Sequence, residues 1–170
     1  MKFLYLFYIL FLFNTSLNAY ESEDKLKAVI VGKVAKYITW KDNNATTFKI
    51  TILKDQYGDL FDEIYKDKQI KDKAVKVIYI KNIEELNDTD ILYIPKVNSL
   101  ELQEILKKTD NKNIFTISDI RGFAQKGGAL QFYFHAQKLK LKMNIDVVQK
   151  EGFSVNRTLL RIVDIVKEKR

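Results

Sequence analysis

The chain contains no cysteine, and its 170 residues include one proline, one histidine and one tryptophan. Without cysteine there is no disulfide framework, thiol catalysis, thiolate metal site or thiol redox sensing. In an oxidising compartment such a fold must hold through its apolar core alone. A single histidine, His135, argues against a transition-metal site, since structural and catalytic sites draw on several His or Cys ligands. It falls on the polar face of its predicted strand, and solvent-facing is its expected state. No Ser-His-Asp spacing and no closely placed acid/base pair of carboxylates can be read; Glu84-Glu85 and Glu21/Glu23 lie in solvated stretches. Low-complexity tracts, repeats of solenoid length and long Gly/Ser linkers are also missing, which together with the length fits one domain.

What is there begins with a leader. Lys2 is the one charge among the first nineteen residues, Phe3–Phe13 is an apolar run, and Ala19 is a small residue at a cleavage position. That order is the pattern of a secretory signal peptide, and the run is short of the roughly 20 residues that span a bilayer. No cysteine follows it to carry a lipid. The expectation is a signal peptide over 1–19, a single domain over 20–170, and export to the periplasm. Removing 1–19 takes away one lysine and no acid, so the formal charge falls from +7 to +6. The lysines are interleaved with Asp and Glu rather than gathered in a stripe beside exposed aromatics, so a solubilising surface is expected and not nucleic-acid binding.

Apolar periodicity then sets the elements. Leu26, Val29, Ile30, Val34, Tyr37 and Ile38 recur at helical spacing and predict a helix over 23–39, with Ser22 as N-cap. Short strands rich in Ile and Val are predicted at 48–53, 74–80, 90–94 and 114–117. Helices at 58–65 and 99–108 fall between them, and 83–86 is at most a helical turn. Alternating strands and helices imply βαβ units: an α/β fold with a mostly parallel sheet and helices on both faces. After Gly127-Gly128 the period changes. Leu130, Phe132 and Phe134 alternate with Gln131, Tyr133 and His135; beyond a turn at Ala136-Gln137, Leu139, Leu141 and Met143 alternate with lysines. Period two on both arms predicts a C-terminal antiparallel hairpin at the sheet edge, its lysine face discouraging edge-to-edge pairing. A short helix over 145–150 ends at Gly152. Ser154 then caps a last helix carrying Val155, Leu159, Leu160, Ile162, Val163 and Val166.

Open α/β sheets bind ligands at the carboxyl ends of their parallel strands. The residues expected there are Asp55 and Tyr57 after the first strand, Lys96 after the third, and Ser118, Asp119 and Arg121 after the fourth. Lys96 and Arg121 suit a carboxylate or phosphate. Gly127-Gly128 lacks the Lys-Ser/Thr of a phosphate-binding loop and reads as a turn feeding the hairpin. Tyr37 and Trp40 read as core anchors.

The chain also resembles the YfiR-like family over about residues 26–166. The match runs through Lys27-Ala28, Lys36-Tyr37 and Trp40, then Tyr57-Gly58 and the 90–94 strand. Its most specific part is Thr116-Ile117-Ser118-Asp119, Gly122-Phe123-Ala124, Gly127-Gly128, Phe132, Lys142-Met143-Asn144-Ile145, Gly152 and Leu159-Leu160. The resemblance implies a small periplasmic α/β protein without enzymatic activity or cofactor. It would bind the periplasmic sensor region of an inner-membrane diguanylate cyclase and hold it inactive, lowering cyclic di-GMP and biofilm formation. Some relatives accompany sensor kinases instead, which leaves a small-ligand sensor module as the alternative; a homodimer is also open. Several relatives carry cysteine pairs thought to gate activity, an input this chain lacks. The expected partner-binding surface is the hairpin's outer face and the last helix: Tyr133, Lys140, Leu159, Ile162 and Val166.

Overall fold

A computed structural model describes residues 23–41 and 45–167. The expected signal peptide over 1–19 and the expected Ser22 cap lie outside the described residues. Helix α1 spans 23–37 and buries Ala28, Val31, Val34 and Ala35. Of the predicted face only Val34 and Ile38 are buried, Ile38 in the strand that follows, while Leu26 is exposed and Val29 and Ile30 half-buried, so the core-facing stripe is rotated from the one the spacing suggested. It is followed by β1 (Ile38–Thr39), β2 (Thr47–Leu53), α2 (Leu60–Tyr65), β3 (Gln69–Ile70), β4 (Lys73–Ile80), β5 (Ile91–Ile94), α3 (Ser99–Thr109) and β6 (Phe115–Ser118). The remainder is β7 (Leu130–His135), β8 (Lys138–Asn144), α4 (Ile145–Lys150), β9 (Ser154–Val155), α5 (Arg157–Leu160) and β10 (Asp164–Val166). Short 3₁₀ turns occupy Ile83–Glu85 and Ala124–Lys126.

Eight strands form one sheet in the order β10-β8-β7-β6-β5-β2-β4-β3. The five neighbours β7-β6-β5-β2-β4 are mutually parallel, the arrangement that alternating strands and helices force. Both faces are covered, so the central strands are apolar on both sides. In β5, Ile91 and Tyr93 join the core under α1 and α2, whereas Leu92 and Ile94 join a second core under α3 with Leu102, Ile105 and Phe123. The predicted α/β architecture with helices on both faces is therefore the one observed.

The hairpin forms with the predicted arms. Tyr133 pairs with Lys140 and Phe132 with Leu141, and both turn residues have positive φ (Ala136 48°, Gln137 60°), as a two-residue turn between twisted strands requires. Strand β7 leaves β6 after the Ser118–Gln131 pair and continues to His135, so the hairpin projects past the carboxyl ends of the parallel strands.

The C-terminal segment departs from expectation. In place of one capped helix over 155–166 there are two short strands around a single helical turn. Val155 pairs with Ile38, and Asn156, not Ser154, caps the turn by accepting from Thr158 N at 2.8 Å. Strand β10 then lies parallel to β8, with Ile165 beside Met143. Continuing as a helix would leave the outer edge of β8 unpaired; β-branched residues at 162, 163, 165 and 166 favour the strand. The hairpin is consequently one strand in from the edge. The short β3, joined to β4 through Lys71 and Asp72 at positive φ, closes the other end, in a stretch for which the sequence patterns predicted no element.

Trp40 is a core anchor, as expected. Its ring meets Phe48, Phe115 and Phe153 edge-on at 5.1–6.0 Å, and Nε1 donates to the Asp90 carbonyl at 3.1 Å. Tyr37 differs, being 39% exposed. The β1–β9 pair and the bond from Asn156 N to the Tyr37 carbonyl (2.9 Å) join the two ends of the fold beside this cluster. Gly127 caps the 3₁₀ turn at φ 103°, and Gly128 lies so close beneath Phe123 that an added Cβ would stand 2.1 Å from its ring.

Candidate functional site

A cleft of about 380 Å³ opens at the carboxyl ends of the parallel strands, lined by Asp24, Lys27, Gln56, Tyr57, Lys96, Val97, Asp119, Ile120 and Arg121. Four of the six residues expected there, Tyr57, Lys96, Asp119 and Arg121, line it together. The other two serve the backbone. Asp55 Oδ1 accepts from Tyr57 N at 2.9 Å, and the fully buried Ser118 Oγ accepts from Ile120 N at 3.1 Å. These are turn-forming bonds of the kind short polar side chains make, so Asp55 and Ser118 shape the cleft's loops and do not line it.

Helix α1 supplies the charge that the strand-end reading missed. Lys27, 6% exposed, donates to Asp119 Oδ2 at 2.7 Å and lies 2.8 Å from Glu23 and 3.7 Å from Asp24. Burial by itself would lower the pKa of this ammonium. The hydrogen bonds with Asp119 and Glu23 outweigh it and hold the lysine above its ordinary value. Burial pushes the Asp24 carboxyl up, with Lys27 opposing in part. A signal for this cluster exists in the sequence. Asp24, Lys27 and Val31 share a face at spacings of three and four, so two charges sit in line with an apolar stripe.

Lys27 is held by carboxylates, so the cleft's cations outside an ion pair are Lys96 and Arg121. Both are exposed, and among the described residues neither has an ion-pair partner. The floor is aromatic. Tyr57 OH donates to Tyr93 OH at 3.3 Å, and burial pushes the Tyr57 phenol up to about 12. A narrower groove of about 240 Å³ continues from Lys27, Asp119 and Arg121 to Tyr133 and Phe134, so the projecting hairpin forms its far wall. Such a site can bind a small anion against an aromatic floor.

A larger hollow, about 490 Å³, lies at the opposite end of β6 between α3 and α4. Half of its charged lining is already engaged. Lys150 pairs with Asp110, and Glu151 accepts from the backbone N–H groups of Asn111 (2.7 Å) and Asn113 (3.0 Å). It is the weaker candidate.

The residues expected to face a partner fall into two sets. Tyr133 and Lys140 are cross-strand neighbours on the open face of the hairpin; Tyr133 donates to the Asp164 carboxylate, and Lys142 Nζ lies 4.4 Å above its ring. Ile162 is 64% exposed just before β10, where Val166 is half-buried. Leu159 is a correction. It is 1% exposed and belongs to the core beneath α1, because α5 is one turn whose apolar side faces inward. Two further apolar residues near the hairpin and β10 are exposed, Phe134 and Ile165.

Among the described residues, no group of three or more His, Asp or Glu side chains is placed to hold a metal, and no helix is long and apolar enough to cross a membrane. No curated protein matches the chain. A family model does, described as YfiR/HmsC-like and matching residues 24–163, from the first turn of α1 to the approach of β10. That match takes in the cleft, the Gly127-Gly128 turn and the whole hairpin, and on it the chain belongs to the YfiR/HmsC-like family.

Proposed function

We propose that this chain is an exported, non-enzymatic regulator that binds the periplasmic sensor region of an inner-membrane diguanylate cyclase and holds it inactive. The observation that carries the reading is the family match over 24–163, which is consistent with a periplasmic regulator. The physical mechanism is a population shift: the regulator binds the inactive conformation of its partner better than the active one. Moving a two-state partner from almost wholly active to almost wholly inactive takes about a 10⁴-fold difference in affinity. Ile165, exposed on the outer strand β10, and Ile162, exposed just before it, supply apolar contact for that purpose, with Val166 beside Ile165.

The test is capture of the tagged chain from solubilised membranes, with identification of what accompanies it. A diguanylate cyclase, together with lower cyclic di-GMP when the chain is overproduced, supports the reading. A folded, abundant chain that captures no membrane partner defeats it.

The cleft favours a second reading, a small-ligand sensor module acting with a sensor kinase. Lys96 and Arg121 would bind the anionic group of the ligand, over the Tyr57 ring. A panel of carboxylates and phosphates screened by thermal stabilisation tests it. A hit abolished in Arg121→Ala and Lys96→Ala supports the cleft; stabilisation that survives both substitutions removes it. The readings are compatible, since a ligand in the groove under Tyr133 and Phe134 lies against the hairpin and can bias partner release.

A further inference from the structure

The face of the β7–β8–β10 corner that carries the lysines is covered for only part of its length. At its inner end the 3₁₀ turn Ala124–Lys126 lies over it. Asn144 Nδ2 donates to the Ala124 carbonyl at 2.7 Å, Gln131 Oε1 accepts from Ala124 N at 3.4 Å, and Gln131 and Asn144 are buried. Beyond them the face opens: His135, Lys138 and Lys140 are exposed, and Tyr133 and Lys142 half-buried.

The charge on this open half is predominantly positive. Lys138, Lys140 and Lys142 alternate on β8, which spaces them about 7 Å apart. The three strands contain one carboxylate, Asp164, and it already accepts from Tyr133. At the tip, on the other face of the same hairpin, Phe134 is 44% exposed opposite the partly buried Leu139. The element is therefore a projecting, amphipathic hairpin with basic residues on one side and an aromatic ring near its end.

We propose that this hairpin is a membrane-surface contact. Its lysines bind the phosphates of an anionic leaflet, and Phe134 seats at the level of the headgroups. The residue chemistry favours lipid over a protein groove. Protein interfaces are depleted in lysine and use arginine and large aromatics as central anchors, and these three strands contain no arginine. A compact, strongly hydrated ammonium on a flexible stem suits a flat, diffuse negative field. Contact at the tip would place the regulator beside membrane-anchored partners of any identity, so this surface and the cyclase reading fail separately.

Sedimentation of the full chain with phosphatidylcholine vesicles, with and without phosphatidylglycerol, is the test. Three lysines near an anionic surface should raise partition on the order of a hundredfold over neutral vesicles at low salt, and added salt should reduce it. Replacing Lys138, Lys140 and Lys142 together by Gln should remove that excess. The pair Lys138→Gln and Lys140→Gln, which spares the Lys142–Tyr133 contact, should remove more than tenfold of it. A control with Lys66, Lys68 and Lys81 replaced by Gln, all exposed and away from the hairpin, should bind as the parent does. Equal uptake by neutral and anionic vesicles, as an apolar leader alone would give, overturns the proposal. So does a hairpin variant that sediments like the parent, or one that loses capture of a membrane protein in detergent while its vesicle binding is unchanged.

Discussion

Lys27 Nζ donates to Asp119 Oδ2 at 2.7 Å, joining residues 92 positions apart in the chain and fixing the start of α1 against the loop after β6. Lys27→Met would leave Asp119, Glu23 and Asp24 without their shared cation. Asp119 and Glu23 retain access to water, so the cost falls below that of a fully buried pair, at about 2 kcal/mol near neutral pH. The measurement is the urea midpoint at constant slope. The folded pKa of Lys27 is raised, so its contribution is complete below the unfolded value of about 10.4 and is lost as pH climbs beyond it. The gap between parent and variant should therefore narrow only in strong alkali.

Alkali should also act through tyrosine. Burial raises the phenol pKa of Tyr57, to about 12, and those of Tyr65 and Tyr93, the latter two further. A group with a raised folded pKa stabilises fully below its unfolded value, here about 10, and the contribution fades as pH rises through the folded one. Urea midpoints measured from neutral to strongly alkaline pH should be level until about 10 and then fall. Tyr57→Phe should make that fall shallower; an unchanged slope would contradict the burial of this phenol.

Gly128→Ala would drive a methyl group into the Phe123 ring, 2.1 Å from the new carbon. Overpacking of this kind costs about 1–3 kcal/mol, and a clash this severe belongs at the upper end. Trimming the obstacle should recover part of the loss: Gly128→Ala with Phe123→Leu should be more stable than the two separate costs predict. A double-mutant cycle by thermal unfolding measures the coupling, and strict additivity would contradict the contact.

The hairpin turn carries two non-glycine residues at positive φ, Ala136 and Gln137. Asn and Gly meet that requirement at lower conformational cost. Ala136→Asn with Gln137→Gly should stabilise the chain by about 1 kcal/mol. Both residues are exposed, so the gain should come without change in the core, and calorimetry of the pair against the parent would read it.

Legibility of the fold follows the length and purity of each period. The hairpin was readable to the residue because six apolar and polar positions alternate on one arm and the lysines keep that rhythm on the other. The parallel strands β2, β4, β5 and β6 were readable as short Ile- and Val-rich stretches separated by helices or turns. Residues 155–166 were not, since Val155, Leu159, Ile162 and Val166 also satisfy a helical spacing. What decides there is tertiary: Ile38 and the open edge of β8 offer strand partners that no local pattern reveals. The cleft was half legible. Its strand-end loops follow from topology, whereas Asp24 and Lys27 arrive from a helix nearly a hundred residues earlier. Leu159 was misread because its exposure depends on a helix that is only one turn long.

The short ladder of Ile38–Thr39 with Ser154–Val155, together with the Trp40–Phe153 contact, sets an order of assembly. The first helix to leave the ribosome or a translocation pore meets its closing partners among the last twenty residues, so it has nothing to lock onto until nearly the whole polypeptide is free. Closing so long a loop slows folding and holds back its completion until those last residues are free. Until then the chain stays an open thread, the form that the export proposed above would require. A chain cut at residue 150 would lose not merely its end but the seat of its beginning.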